Sequence, residues 1–322
     1  MNIVKELCKH DKVLDYMQPI KNYILHPSRF FLGMVKKLNP YLSEETYLRL
    51  YYFFQLNEVL HLYNPKKFTE KIQWLKLHDR NPEHIKMVDK IGVKDFIAKI
   101  ISQDIVIPIL GTYSNFDDIN FDSLPNSFVL KTNHSGGNQG VVICKDKWSF
   151  DIGLAKSKLE SSMKTDAYPL LKEWPYKGVE RRIFAEKYME DSTGNLMDYK
   201  FMCFNGKVKF THICPDRYLG AKKMHFDYYD TEWRKMPFAI ECPNSDIFTP
   251  KPQSYELMVK YAELLAAEAK TPLVRIDFYE VEGKPYFGEI TFFPYSGLEK
   301  FYQEEWNVRL GSWIDLSLLK KI

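Results

Sequence analysis

A chain of 322 residues, 45 % hydrophobic and 15 % aromatic, holds enough apolar material for one large domain or two to three smaller ones. Its 45 Lys and Arg against 42 Asp and Glu leave a formal charge of +3, too small to point to nucleic acid. Five scattered cysteines without CxxC spacing argue against a disulfide framework or a zinc site. With no signal peptide evident and no run of ~20 apolar residues, a soluble cytoplasmic protein is expected.

The first sixty residues read as helical. Over residues 20–37, Lys and Arg interleave with large apolar groups. That pattern suits either a surface that docks on a membrane or partner helix, or an accessory layer packed on the main domain, the latter being the expectation. Ser43 is placed to cap a helix, with Glu45 and Thr46 in its first turn. Asn64-Pro65 breaks the chain ahead of residues 68–77, whose apolar spacing of three to four predicts a helix. Another helix is predicted over residues 85–101, and residues 106–110 start a strand.

From Ser127 the texture changes. Residues 128–131 read as a strand, 133–140 as a polar Gly-rich loop, 141–144 as the return strand and 149–163 as a helix. A strand over 181–189 leads into a turn at 192–195. Asn205-Gly206 signals a hairpin between strands at 198–204 and 208–213. An amphipathic helix covers 255–269. Strands and helices mix without regular βαβ alternation, so the predicted class is α+β.

Residues 274–279 and 286–292 are rich in aromatic and β-branched residues around a Gly-containing break, which reads as a closing β-hairpin. Asp277 and Glu289 each sit among apolar neighbours, where a bare carboxylate is costly. Two such groups in reach of each other repel unless a proton or cation lies between them, and hard oxygen ligands suit Mg²⁺. A two-residue loop at Glu282-Gly283 pairs Asp277 with Gly288 and turns Glu289 away. A three-residue loop, with Gly283 left-handed, pairs Glu280 with Lys284 and puts Asp277, Glu289, Arg275 and Thr291 on one face; this is the expected register. A solvent-facing sheet edge with ordinary charges is the plain alternative.

Three further segments carry candidate chemistry. In residues 131–140, Lys131 precedes a Gly-rich stretch between two strands, unlike a P-loop, which opens a helix. Small residues there let backbone N–H groups approach phosphate, though an ordinary hairpin loop has the same composition. Glu186-Lys187-Tyr188-Met189, at a strand end, presents backbone groups suited to an adenine, or is a plain strand exit. Lys200 interrupts an apolar strand, as an exposed lysine also would.

The order of these segments resembles the ATP-grasp fold, in which ATP lies between two α+β subdomains. The likeness is closest to the TupA-like branch, associated with teichuronopeptide and surface-polysaccharide synthesis. The residues that carry it are Asn64-Pro65, Phe68-Thr69-Glu70-Lys71-Ile72-Gln73-Trp74, Asp89-Lys90 and Phe128-Val129-Leu130-Lys131. To these add Asp198-Tyr199-Lys200, Cys203-Phe204-Asn205-Gly206, Arg275-Ile276-Asp277-Phe278-Tyr279 and Phe287-Gly288-Glu289-Ile290-Thr291-Phe292. The implied organisation is a helical region over 1–63, an α/β subdomain over 64–125, a small subdomain with a Gly-rich flap over 126–190, and a C-terminal subdomain with the metal site over 191–322.

What the resemblance implies for the site is specific. Lys131 and Lys90 would hold ATP phosphates, under a flap containing Ser135, Gly136, Gly137 and Gly140. Glu186, Lys187, Tyr188 and Met189 would lie at the adenine and ribose, with Lys187 and Met189 contributing backbone groups. Asp277 and Glu289 would bind Mg²⁺, with Thr291 where many relatives have Asn. Lys200 and Arg275 would face the transferred phosphoryl group. The implied cofactors are ATP and Mg²⁺. The implied reaction is carboxylate–amine ligation through an acyl phosphate, with an amino acid and a uronic-acid-bearing glycan as substrates. His134 could assist proton transfer, or is simply solvated. A kinase of a sugar hydroxyl would use the same nucleotide site; a glycosyltransferase would need a DxD pair, and none is present.

Overall fold

The computed structural model describes residues 27–192, 194, 196–216 and 224–321. It divides the chain into two compact units, residues 1–61 and 62–322. In the first, helix α1 (Pro27–Leu38) is followed by α2 (Glu44–Leu56). The Ser43 hydroxyl accepts from the Thr46 backbone N–H at 3.1 Å, satisfying one of the donors that a helix start leaves open. Asn57, at φ 59, ends α2 in the left-handed conformation that asparagine tolerates. The expected docking pattern over residues 20–37 falls partly outside the described residues. Within α1, Phe30, Phe31, Met34 and Leu38 are exposed. No described helix is long and apolar enough to cross a membrane.

The second unit is built on two antiparallel sheets. Helices α3 (Phe68–His78), α4 (Glu83–Val88) and α5 (Gly92–Ile100) lead into the first. That sheet comprises β1 (Ile109–Tyr113), β2 (Phe128–Thr132), β3 (Val141–Cys144) and β4 (Ile183–Lys187), in the order β1-β4-β2-β3. Helix α6 (Ile152–Lys164) is capped by Asp151 and packs Ala155 and Leu159 against its β2–β3 side. A short helix, α7 (Ala167–Leu171), precedes β4.

The second sheet comprises β5 (Asp198–Phe204), β6 (Lys207–Ile213), β7 (Asp227–Asp230), β8 (Leu273–Val281) and β9 (Lys284–Thr291), ordered β7-β6-β5-β8-β9. Helix α8 (Tyr255–Ala269) lies on its β5, β6 and β8 strands, and α9 (Glu304–Ser312) packs on α3. Phe201, Ile276, Phe278 and Ile290 point into this core and are at most 2 % exposed. The alternate positions point the other way, as the two-residue strand period requires.

Two expected elements differ. The helix predicted over 85–101 is two helices, α4 and α5, parted at residues 89–91. The Asp89 carboxylate accepts the Ile91 N–H at 3.0 Å, a local side-chain bond that competes with the helical ladder. The closing hairpin has a two-residue turn, since Val281 pairs with Lys284. Glu282 (φ 52) and Gly283 (φ 70) are both left-handed, as the tight hairpin turn with two positive φ angles demands.

A two-residue turn alone would send Glu289 into the core. A β-bulge prevents it. Phe278 pairs with Phe287, but Asp277 pairs with Glu289, leaving Gly288 as the extra residue. The bulge resets the alternation, so Arg275, Asp277, Glu289 and Thr291 share the face opposite the core. The shared face follows as expected, by a different device from the three-residue loop. A Cβ on Gly288 would sit 3.0 Å from the Asp277 carbonyl oxygen, which is why glycine fits this position.

Candidate active site

Between the two sheets runs a cleft of about 1060 Å³, reached by side chains from both. On the larger sheet, Tyr228, His212, Lys200, Asp277 and Glu289 are successive cross-strand partners from β7 to β9. Directly opposed residues project to one face, so these five form a transverse row at about 4.8 Å per strand.

The charges in this row are tightly interlocked. Arg275 grips Asp277 through two bonds, Nε to Oδ1 at 2.7 Å and Nη2 to Oδ2 at 2.8 Å. The same Nη2 donates to Glu289 Oε1 at 2.6 Å. Lys200 donates to Asp277 Oδ2 at 2.7 Å and also to Asp198. Burial pushes the Asp277 carboxyl up, against the pull of Arg275 and Lys200. Burial also works against the Glu289 charge, yet Lys90, Arg275 and Lys200 hold that carboxyl well below its usual range. Thr291 turns its hydroxyl to Glu289 at 3.4 Å.

The smaller sheet carries the opposite balance. Glu186, 4 % exposed, accepts from Lys94 and Lys131, each at 2.5 Å. Its carboxyl is lowered although burial opposes this, because two ammonium groups flank it. Glu186 is therefore a buried counter-ion that fixes two lysines at the cleft. The expected backbone role of Lys187 is narrowed, because its N–H is already donated to the Pro108 carbonyl at 3.0 Å. Tyr188 and Met189 line the cleft, the Tyr188 hydroxyl donating to Glu190 at 2.8 Å.

The Gly-rich loop closes the remaining side. Lys90, set free by the break between α4 and α5, donates to the Ser135 carbonyl at 2.6 Å and stands 3.5 Å from Glu289. It ties the loop to the larger sheet. Gly137 is left-handed (φ +59), and Gly136 stands in open space. Gly140 is sterically required, since a Cβ there would strike the Thr132, Ser135 and Ser162 hydroxyls. His134 is buried, its Nε2 held 3.2 Å from the Ser162 carbonyl. It is therefore not the solvated group expected, and burial keeps its imidazole below the ordinary pKa.

Sequence reasoning missed Lys94, Asn133 and Asp198 as site residues. The Asn133 amide donates to Asp89 and the Glu180 carbonyl, and its oxygen accepts the Arg182 N–H, pinning the loop base to the α4–α5 break.

Two α+β halves with a charged cleft between their antiparallel sheets are the architecture of ATP-grasp proteins. The family model described as TupA-like ATPgrasp matches residues 70–315, and the chain belongs to that family. Similar solved structures include D-alanine–D-alanine ligase from Helicobacter pylori, at 13 % identity and TM-score 0.43, covering 80 % of this chain and 69 % of that one. An L-amino acid ligase from Bacillus licheniformis gives 12 % identity and TM-score 0.41, over 71 % of this chain and 50 % of that one. D-alanine–D-alanine ligase from Bacillus anthracis complexed with ATP gives 18 % and 0.40, over 73 % and 67 %. No curated protein matches.

ATP and Mg²⁺ are the cofactors of this enzyme class, and the residues present fit them. Lys94 and Lys131 share one carboxylate, leaving surplus positive charge for a polyphosphate. Asp198, Asp277 and Glu289 face Lys200, Arg275 and Lys90, and their carboxylates offer hard oxygens of the kind a divalent cation takes. Among the described residues no set of three or more His, Cys, Asp or Glu is clustered for a metal, and Arg275 lies between the Asp277 and Glu289 carboxylates.

Proposed function

We propose that the protein is an ATP- and Mg²⁺-dependent carboxylate–amine ligase that works through an acyl phosphate and joins an amino acid to a uronic-acid-bearing glycan or its precursor. The row Lys200–Asp277–Glu289, with Arg275 bridging both carboxylates, carries the reading. It sets two cations and two hard-oxygen ligands side by side on one face of a cleft whose opposite wall holds Lys94 and Lys131.

The roles follow from charge and place. Lys131 and Lys90 bind phosphate oxygens, with Lys94 reinforcing Lys131 through Glu186. Ser135, Gly136, Gly137 and Gly140 cover them. The Lys187 carbonyl, Tyr188 and Met189 border the base. Asp277 and Glu289 hold the metal, and Thr291 orients Glu289. Bound Mg²⁺ supplies charge neutralisation at the phosphates. Lys200 and Arg275 stabilise the negative charge that develops as the phosphoryl group passes to the carboxylate, and no protein nucleophile is needed. The exposed apolar face of α1, with Lys36 and Lys37 at its end, supports peripheral contact with the inner membrane surface from a cytoplasmic location.

The test is purified protein with ATP, MgCl₂, a panel of amino acids, and glucuronic and galacturonic acids, scoring ADP and free phosphate. Equal release of both with an amino acid–uronate pair is expected. ADP without phosphate would reassign the protein as a kinase of a sugar hydroxyl, and no ATP consumption with any pair would remove the enzyme reading.

A further inference from the structure

Directly after β9 the backbone is held in an unfavourable shape. Tyr295 (φ 55, ψ 14) and Ser296 (φ 55, ψ 9) are left-handed, and Gly297 (φ +61) continues the turn. A side-chain-bearing residue in this region costs about 1–2 kcal/mol, so such a turn persists only where its surroundings impose it. Helix α3 does so. Gln73 Nε2 donates to the Ser296 and Gly297 carbonyls, both at 2.9 Å, and Lys76 Nζ donates to the Ser296 hydroxyl at 2.8 Å. Both side chains are wholly buried, at 0 % exposure. A Cβ on Gly297 would lie 2.7 Å from both Gln73 Nε2 and Ile72 Cβ, so the clasp closes on bare glycine.

The clasped turn delivers Tyr295 into the cleft, its hydroxyl 2.7 Å from His212 Nδ1. His212 stands beside Lys200 in the transverse row, on the side away from Glu289. Around it the surroundings change from charged to aromatic, with the cleft-lining Phe226 and the buried Tyr228 centred 4.6 and 5.0 Å from the imidazole. Glu241, also left-handed at φ 61, lines the same end and adds a negative charge. None of this machinery serves the nucleotide roles proposed above.

We infer that Tyr295 is the specificity-determining contact for the second substrate, an acceptor carrying an amino group, and that Gln73, Lys76 and His212 are its positioning residues. This rests on the ligase reading. In the tautomer that leaves His212 Nδ1 unprotonated, the Tyr295 hydroxyl donates to it and the phenol oxygen keeps a lone pair for the acceptor's N–H, while Glu241 attracts the ammonium form. The acceptor therefore enters beyond Lys200, one or two strands from Asp277, where the acyl phosphate is made.

Full-length Tyr295→Phe and Gln73→Met proteins test this, with the best amino acid–uronate pair for wild type and, separately, hydroxylamine as a small nucleophile that traps the acyl phosphate as a hydroxamate. Tyr295→Phe should raise the KM for the amino acid at least tenfold. Its Mg·ATP affinity should stay within twofold and its hydroxamate yield should be unchanged. Gln73→Met should show the same split, which a merely structural defect would not. An amino-acid KM within twofold of wild type in Tyr295→Phe overturns the assignment, as does parallel loss of hydroxamate and ligation. If wild type forms neither product nor hydroxamate, the ligase reading falls and the acceptor assignment with it; a fault in the variants alone sinks only the assignment.

Discussion

The two sheets solve the same electrostatic problem in opposite senses. On the smaller sheet one buried carboxylate, Glu186, is shared by Lys94 and Lys131. On the larger, Asp198, Asp277 and Glu289 are shared by Lys200 and Arg275. Both clusters are buried, yet one is left with a spare positive charge while the other draws in Lys90, 3.5 Å from Glu289, to balance its three carboxylates. A cleft walled this way accommodates a polyanion and a divalent cation together, and neither wall suffices alone.

Removing a charge from the negative wall should have the largest effect. Asp277→Asn is expected to lower ATP turnover by at least about 100-fold, read as ADP release, because the group that orders Arg275 and that we propose as a metal ligand is lost. Turnover near wild type would separate the hairpin from the chemistry.

The positive wall divides into the lysine we propose as a phosphate ligand and a supporting one. Lys131→Met should weaken Mg·ATP binding at least tenfold, or about 1.4 kcal/mol, by calorimetry. Lys94→Met leaves Glu186 with one partner in a buried place, so its main cost should be stability, about 2–4 kcal/mol in urea unfolding. If the two variants behaved alike, the division of labour around Glu186 would be wrong.

Gly288→Val is a gentler probe of the larger sheet. Its side chain meets the Asp277 carbonyl, and loss of about 1–2 kcal/mol with a several-fold rise in the Mg²⁺ requirement is expected. An unchanged Mg²⁺ requirement would show that the bulge does not set the carboxylate pair.

The smallest expected effect is on acid stability. Glu186 and Glu289 both have carboxyls lowered by their cations. Each therefore contributes stability that is present above its unfolded value, near 4.5, and is lost as pH falls toward the folded one. Glu289→Gln should flatten the decline in urea midpoint between pH 5 and 3, and an undiminished decline would assign it to other carboxylates.

Much of this arrangement was legible in the chain, and the exceptions share a cause. Asn205-Gly206 announced its hairpin because such residues accept two positive φ angles at little cost, and helix α8 was bounded by its own periodicity. Asp277 and Glu289 stood out as carboxylates among aromatics. The bulge at Gly288 was hidden because turn length and register offset each other, giving the same facing residues by another route. Lys94 looked like any helical lysine, since its partner lies 92 residues further along. Left-handed Tyr295 and Ser296 carry no local signal, because the helix that imposes their shape is remote in sequence.

That remoteness bears on how the protein comes into being. Thr69, Gln73 and Lys76 hydrogen-bond to Asn307, Ser296 and Gly297, between 220 and 238 residues downstream. On the ribosome, α3 emerges long before those partners exist, and its polar face must remain in water until they arrive. Completion of the second unit is thus deferred until the strand that brings Glu289 also brings the turn that seals the helix.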